Sequence, residues 1–266
     1  MNAKTNGIRV RLKVSQGFGG IAVGLAVAVT VVMAWSSAAG RARQGGGQGG
    51  EKGQRFDMQV REDFFAGFAG DAESLERGMK KCEDVLAKDP KNAEVLVWHG
   101  AGLSYSAKKE FMAGNVEKGR EVQARGVQEI NDAVALRPDD VAVLVPRASV
   151  LLSAALHVPS PEVAKRNFQI AAGDYEKTLQ LQTPYFATVP VHSKGELLGG
   201  LAEAWNGLGE TEKSRGYLKR IVEELPGTVY ARKAKEVLEG GAKAGALGTT
   251  CLSCHVARER GEELRF

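Results

Sequence analysis

The residues best suited to chemistry in this 266-residue chain lie near its C-terminus, in the run Cys251-Leu252-Ser253-Cys254-His255. Two thiols three positions apart can reach the same edge of one porphyrin and form thioethers with its two vinyl groups. A histidine directly after them places an imidazole where it can bind the porphyrin iron. The spacing therefore predicts covalent attachment of one haem through Cys251 and Cys254, with His255 as the proximal iron ligand.

Three other kinds of site share the two cysteines. A redox-active pair of the thioredoxin kind would need a βαβ pattern around it, which the sequence lacks. Half of a zinc site would need further ligands, but the only other cysteine, Cys82, is distant and has no partner motif. The third alternative is a plain structural disulfide. All three stay open at the level of sequence.

The five residues 251–255 resemble the haem site of c-type cytochromes. The resemblance implies haem c as the cofactor and electron transfer as the function. Because haem is attached covalently outside the cytoplasm in that family, it also implies that this part of the chain is exported.

The N-terminus has the layout of a secretory signal. Lys4, Arg9, Arg11 and Lys13 precede an apolar run from residue 18 to residue 35, and small residues follow it. The run is about as long as a minimal membrane span, so residues 1–39 are predicted to be either a signal peptide or a membrane anchor. Both alternatives place the rest of the chain in the periplasm or cell envelope, and the anchor would make the membrane a partner.

Charge and composition change after this leader. Residues 40–55 are rich in glycine and predict a flexible linker. Residues 1–55 carry a net charge of +7 and the whole chain +4, which leaves −3 for residues 56–266. The excess of positive charge therefore lies in residues 1–55. The mild negative charge of residues 56–266 argues against nucleic acid as a partner.

An internal repeat runs through the helical region. Each copy has a small residue, a larger residue four positions later, and a proline that closes the unit, one position late in the third copy. The copies are Gly78, Cys82 and Pro90; Gly126, Ile130 and Pro138; Ala171, Tyr175 and Pro184; and Ser214, Leu218 and Pro226. A small residue lets two helices approach, the larger one fills the groove, and proline ends the second helix.

These positions resemble the tetratricopeptide repeat, a helix-turn-helix unit. The resemblance implies an all-α fold: an array of helical hairpins, or α-solenoid, over residues 56–240, with a haem-attachment tail at residues 241–266. Apolar residues at three and four spacing predict helices at 57–69, 72–88, 92–106, 115–136, 140–156, 161–181, 193–207, 210–225 and, as a cap, about 228–239.

A second axial ligand for the iron would come from a histidine or a methionine of this array. The candidates are His99, His157, His192, Met58, Met79 and Met112. The cap helix is predicted to end on the edge that carries the turns within each hairpin. His157 lies in such a turn, so it is the favoured distal ligand, and Met112 is the alternative on the same edge.

Two functions from different classes fit these patterns. The first is an exported electron carrier with one covalent haem c, whose repeat surface docks a redox partner protein. The second is a periplasmic repeat scaffold that binds other proteins and carries no haem. The sequence shows no catalytic constellation, so we do not expect an enzyme.

Overall fold

The structure, a computed structural model, describes residues 55–240 together with Leu247 and Gly248. The predicted signal or anchor, nearly all of the linker and the haem-attachment motif lie outside the described residues. Within the described part the chain is all-helical, with nine α-helices, one 3-10 helix and no strand. None of these helices combines the length and the apolar character needed to cross a bilayer.

The helices follow one another with short connections. Their bounds are α1 (Asp57–Ala69), α2 (Ala72–Leu86), α3 (Ala93–Met112), α4 (Val116–Leu136), α5 (Val141–Ala155), α6 (Pro161–Gln182), α7 (Val191–Gly207), α8 (Thr211–Glu224) and α9 (Val229–Gly240), with the 3-10 helix at Thr183–Thr188. Most ends fall within two residues of the sequence-based prediction. The two departures are α3, which continues six residues further, and the 3-10 helix, which was not predicted.

Polar caps explain where several helices begin. The side chains of Asp71, Asn92, Asp140 and Ser160 each accept a hydrogen bond from a backbone N–H in the first turn of the helix that follows. These bonds satisfy donors that have no partner within the helix. The caps therefore fix the starts of α2, α3, α5 and α6.

Glycine explains how two of the hairpin turns close. Gly114 and Gly209 have φ angles of +82° and +81°, a conformation that residues with a Cβ rarely adopt. The next residue in each turn donates its N–H to a carbonyl five positions back, Asn115 to Glu110 and Glu210 to Trp205. This is the usual glycine C-cap of a helix, and it turns the chain back at once into α4 and α8.

Successive helices pack as pairs, and the odd-numbered helices α1, α3, α5 and α7 also contact one another in order. The buried side chains form two groups. The N-terminal cluster contains the buried apolar side chains from Val60 to Leu144, apart from Ala107, together with Leu151. The C-terminal cluster contains Ala148, Leu152 and the buried apolar side chains from Ala155 to Leu247, apart from Val189 and Ala231. Helix α5 contributes to both clusters and so joins them.

The repeat positions are buried in all four copies. The small residues Gly78, Gly126, Ala171 and Ser214 are buried, and so are the larger residues four positions later, Cys82, Ile130, Tyr175 and Leu218. The four prolines follow the ends of α2, α4, α6 and α8 by two to four residues. The packing argument from sequence therefore holds at each of these positions.

The backbones of α3 and α4 approach each other closely where these helices cross. A Cβ placed on Gly126 would lie 2.8 Å from the carbonyl oxygen of Gly100, and one placed on Gly100 would lie 2.7 Å from the carbonyl oxygen of Gly126. Both distances are far below van der Waals contact. The two helix backbones therefore touch, and neither position has room for a side chain.

This crossing gives the first prediction. Gly126→Ala is expected to lower the free energy of unfolding by about 1–3 kcal/mol, because the new methyl group meets backbone atoms that cannot turn aside. The matched control is Gly173→Ala in α6, where a Cβ would meet nothing within 4 Å. That variant is expected to gain about 0.5–1 kcal/mol from helix propensity. Urea denaturation of both variants checks the opposite signs, and a neutral Gly126→Ala would contradict the crossing.

Candidate docking site of the C-terminal segment

Cys251, Cys254 and His255 lie outside the described residues, but Leu247 and Gly248, just before them, are described. These two residues connect the helical body to the predicted haem motif. Their contacts show where that segment attaches to the body.

Leu247 is a buried residue at the end of the C-terminal cluster. Its side chain is 3% exposed and belongs to the same cluster as Ala155, Leu201 and Ala234. Removing a leucine side chain from water in this way stabilises the attachment by about 1.5–3 kcal/mol. An apolar contact therefore holds the segment against the body.

Two charged side chains hold the backbone of the same segment. Lys233 Nζ, from α9, donates to the carbonyl oxygen of Leu247 at 3.0 Å, and the N–H of Gly248 donates to Glu203 Oε1, on α7, at 2.8 Å. One cation and one carboxyl group thus bind consecutive main-chain groups. Hydrogen bonds of this charge-assisted kind are stronger than neutral ones.

Glu203 is unusual because it is a carboxyl group in an apolar environment. Its side chain is only 3% exposed. Burial raises its pKa to about 7, although the backbone amides of Gly248 and Leu247 and the charge of Lys233 act in the opposite direction. The carboxyl group therefore changes its charge near neutral pH, unlike an exposed glutamate.

Gly248 has a backbone conformation that favours glycine. Its φ angle is +53°, in the left-handed region, where a residue with a Cβ costs about 1–2 kcal/mol. The nearest side-chain atom to an added Cβ would be Lys233 Nζ at 3.8 Å. The constraint at this position is therefore the backbone conformation, with no steric clash.

His157 lies in the turn between α5 and α6, on the exposed surface. Its Nδ1 makes a hydrogen bond of 2.8 Å to the carbonyl oxygen of Ser153. Since a carbonyl can only accept, Nδ1 is the donor of this bond. In the part of the chain that the structure describes, Nε2 has no hydrogen-bond partner. Histidines that bind metals are commonly oriented by this kind of bond from the other ring nitrogen.

The other two described histidines are engaged by the fold. His99 is 1% exposed and its Nδ1 lies 2.5 Å from Glu129 Oε2 on α4. His192 uses both ring nitrogens: Nδ1 lies 2.8 Å from the hydroxyl oxygen of Tyr230, and Nε2 lies 3.1 Å from Glu196 Oε1. The Glu196 carboxylate raises the pKa of His192. Burial makes His99 inaccessible to an incoming group, and both ring nitrogens of His192 are already engaged.

The methionine candidates differ in exposure. Met79 packs its sulfur against Gly102 and fills the core between α2 and α3. Met58 is 41% exposed, and Met112, at the end of α3, is 79% exposed. Of the candidates in hairpin turns, His157 and Met112 are therefore both accessible.

Cys82 and the acidic residues offer no alternative metal site in the described region. Cys82 is fully buried, and burial raises the pKa of its thiol to about 12, so it stays protonated in the core. Between residues 55 and 240, no three His, Cys, Asp or Glu side chains come together as a metal site.

Sequence reasoning did not identify Glu203 and Lys233. A signal for Glu203 was present, since it is the one charged residue in the apolar stretch from Leu197 to Trp205. A lone carboxyl group in such a stretch is rarely buried without a partner. The partner, however, is a backbone amide 45 positions away, and no sequence pattern indicates it.

Comparison of this chain with known proteins identified no relative. No family model matches this chain, and neither a curated protein nor a solved structure matches it.

The titration of Glu203 gives the second prediction. Its folded-state pKa of about 7 lies above the ordinary value of 4.5, so the folded protein binds the proton more tightly than the unfolded chain does. The stability that wild type has relative to Glu203→Gln is therefore expected to fall as pH rises from about 4.5 to about 7, by at most about 3 kcal/mol. Above pH 7 the difference should be constant.

Urea denaturation of wild type and Glu203→Gln at pH 4.5, 5.5, 6.5 and 7.5 measures this difference. Taking the difference removes the titration of His192 and of the other groups that both proteins share. A difference that does not vary with pH would contradict the perturbed titration of Glu203.

Proposed function

We propose that this protein is an exported electron-transfer protein that carries one covalent haem c on a tetratricopeptide-like helical body. The observation that carries the proposal is the Cys251-x-x-Cys254-His255 pattern, which begins three residues after Gly248, where the chain is attached to the body. Cys251 and Cys254 would hold the haem through thioethers, and His255 would be the proximal ligand. Haem c supplies a centre that accepts and releases one electron.

One accessible residue of the body would supply a second iron ligand. His157 is exposed, and its bond to the Ser153 carbonyl uses Nδ1, so Nε2 is the ring nitrogen that remains for a metal. An imidazole prepared in this way can bind iron as the distal ligand. Met112 is the alternative because, among the large apolar residues that the structure describes, it is the most exposed.

The α-solenoid assignment of the body belongs to this proposal. Its support is the burial of the small and larger residues in all four copies, together with the pairwise packing of successive helices. An array of this kind offers an extended surface for a redox partner protein. The N-terminal segment would act as the export signal or as the membrane anchor.

A periplasmic scaffold without haem is the second candidate. The observation that favours it is the apolar turn between α3 and α4, where Phe111, Met112 and Val116 are all exposed. Adjacent exposed apolar side chains of this kind are typical of protein-binding surfaces. In that case Cys251 and Cys254 would form a disulfide.

The third prediction separates these two functions. Wild-type protein matured with the haem-attachment machinery is expected to keep its haem after denaturation and acid extraction, because thioethers do not depend on the fold. The double variant Cys251→Ala, Cys254→Ala should remain helical and lose all covalent haem. The matched control Cys82→Ala removes the buried third cysteine and should retain haem. A haem-stained denaturing gel measures all three, and a wild-type band without haem would leave only the scaffold.

The fourth prediction concerns the distal ligand. His157→Ala is expected to change the visible spectrum of the oxidised protein and to open the iron to added cyanide or carbon monoxide. The control Met112→Leu keeps size and apolar character, and should leave both properties unchanged. If Met112→Leu alters the spectrum and His157→Ala does not, the ligand role passes to Met112. If neither variant has an effect, both assignments are wrong.

A further inference from the structure

We propose that the tip of the α3–α4 hairpin, residues 108–120, binds a membrane surface that contains anionic phospholipid. All residues of this α3–α4 tip are described by the structure, and the binding does not depend on haem. Only the tether discussed below rests on the membrane-anchor alternative of the proposed function, and the experiment distinguishes failure of the anchor from failure of the tip.

Large apolar side chains are exposed at the α3–α4 tip. Residues 111–118 are all exposed, which is the longest such run in the part of the chain that the structure describes. Phe111, Met112 and Val116 are 41%, 79% and 43% exposed. Three large apolar side chains within six positions therefore contact water, and a surface of this kind favours an apolar partner.

The α3–α4 tip is held in one conformation by contacts of its own. The carboxylate of Glu110 accepts from Lys118 Nζ at 2.7 Å and from Asn115 Nδ2 at 2.8 Å. The ring of Phe111 packs against Gly119 at the start of α4. The exposed apolar side chains are therefore carried on an ordered turn, and binding through them costs little further ordering of the backbone.

Exposed apolar residues are not needed to close a turn of this kind. The α7–α8 turn has the same backbone as the α3–α4 turn, with φ angles of +81° at Gly209 and +82° at Gly114 and the same hydrogen bond to a carbonyl oxygen five positions back. The three apolar residues of the tip have small or polar counterparts there: Phe111 corresponds to Asn206, Met112 to Gly207 and Val116 to Thr211. The difference between the two turns therefore lies in what their side chains can bind.

The charge of the α3–α4 tip is opposite to that of the surrounding sequence. Residues 108–120 carry four basic and two acidic side chains, a net charge of +2, and residues 56–266 as a whole carry −3, so the remainder carries −5. Lys108 and Lys109 are exposed and form no ion pair within the described residues. They lie four and three positions before Met112, on the same face of α3. Cations beside exposed apolar side chains are complementary to anionic phospholipid.

The two kinds of side chain match the two layers of a membrane surface. Met112 and Val116 would enter the boundary between headgroups and acyl chains, where apolar side chains leave water. Lys108 and Lys109 have long apolar stems, so their ammonium groups can remain at the level of the lipid phosphates. One short hairpin can therefore place apolar groups and cations in the layers that favour each of them.

The N-terminal sequence favours a lipid surface over a partner protein. Residues 18–35 form an apolar run, and the glycine-rich stretch 36–56 separates this run from α1. A flexible chain of that length has a root-mean-square end-to-end distance of about 25 Å. If residues 18–35 anchor the chain, the tether keeps the body near the bilayer, and the tip meets lipid at a high effective concentration.

A spin label at position 116 tests insertion of the tip, in the full chain reconstituted with vesicles. Val116→Cys is made in the background Cys251→Ala, Cys254→Ala, and the buried Cys82 thiol stays protonated and unlabelled. With vesicles of equal parts phosphatidylcholine and phosphatidylglycerol, the label is expected to gain access to dissolved oxygen and to lose access to a water-soluble nickel chelate. Thr211→Cys, at the same position of the α7–α8 turn, is the matched control and should stay in water.

Further substitutions test which side chains hold the tip at the membrane. Lys108→Gln with Lys109→Gln is expected to lower the ratio of inserted to free label about 10–30-fold, because two cations near an anionic surface are lost. Lys165→Gln with Lys219→Gln removes the same charge from exposed positions on α6 and α8 and should leave the ratio nearly unchanged. Met112→Ser is expected to lower the ratio about 10-fold through lost apolar burial.

Three results would overturn the proposal. If the label at position 116 stays as accessible to the nickel chelate as the label at position 211, the tip does not enter lipid and its apolar side chains are left for a partner protein. Equal insertion into vesicles of phosphatidylcholine alone, or equal effects of the two lysine pairs, would exclude a role for anionic lipid. Immobilisation of the label that rises with protein concentration and needs no vesicles would show that two copies of the chain pair through the tip.

Flotation with phosphatidylcholine vesicles tests the anchor separately. A chain anchored through residues 18–35 is expected to float with these neutral vesicles. If it does not, the anchor alternative of the proposed function fails, while the label in the mixed vesicles still decides whether the tip binds lipid. Because the background variant cannot form thioethers, the presence or absence of haem in wild type does not affect either result.

Discussion

The rest of the structure depends on the direct contact of helix backbones at glycine. At the crossing of α3 and α4, Gly100 and Gly126 each occupy the space in which the other would place a Cβ. At this separation the side chains on either side of the crossing interdigitate and exclude water, as close packing requires. Ile130, one turn after Gly126, is fully buried for this reason. Removing the contact would separate the two longest neighbouring helices of the N-terminal half.

Close packing against glycine also occurs in α7, and it explains why the carboxyl group of Glu203 can be buried in this helix. Gly195, Gly200 and Gly207 each receive an aromatic ring, from Tyr230, Tyr175 and Phe168 respectively. Rings packed onto bare backbone bring α6 and α9 close to α7 on different sides. Glu203, between these contacts, is then shielded from water and must find its hydrogen bonds within the protein. The burial that raises the pKa of Glu203 is accompanied by glycine packing about one turn away on either side, at Gly200 and Gly207.

Short-range sequence patterns were sufficient to predict the helices. They were insufficient to predict the contacts of Glu203 and Lys233 with the C-terminal segment. Caps such as Asp71 and Ser160, and turn glycines such as Gly114, are readable from sequence because the bonds they make span only a few residues. The extension of α3 to Met112 was missed because its last turns are stabilised by tertiary contacts, including Phe111 packed against Gly119 of α4. The bond from Gly248 to Glu203 joins residues 45 positions apart, and only the folded arrangement of α7 and α9 brings them together. Whether haem is attached beyond it stays a prediction.

The segment at Leu247 and Gly248 is bound both through its main chain and through one side chain. Glu203 and Lys233 contact main-chain atoms, while the Leu247 side chain is buried in the C-terminal cluster. The φ angle of Gly248 lies in the left-handed region, which favours glycine, so the backbone conformation is a further requirement of these bonds. The attachment is therefore specified by two charged side chains of the body, by one buried leucine and by the backbone conformation of one glycine.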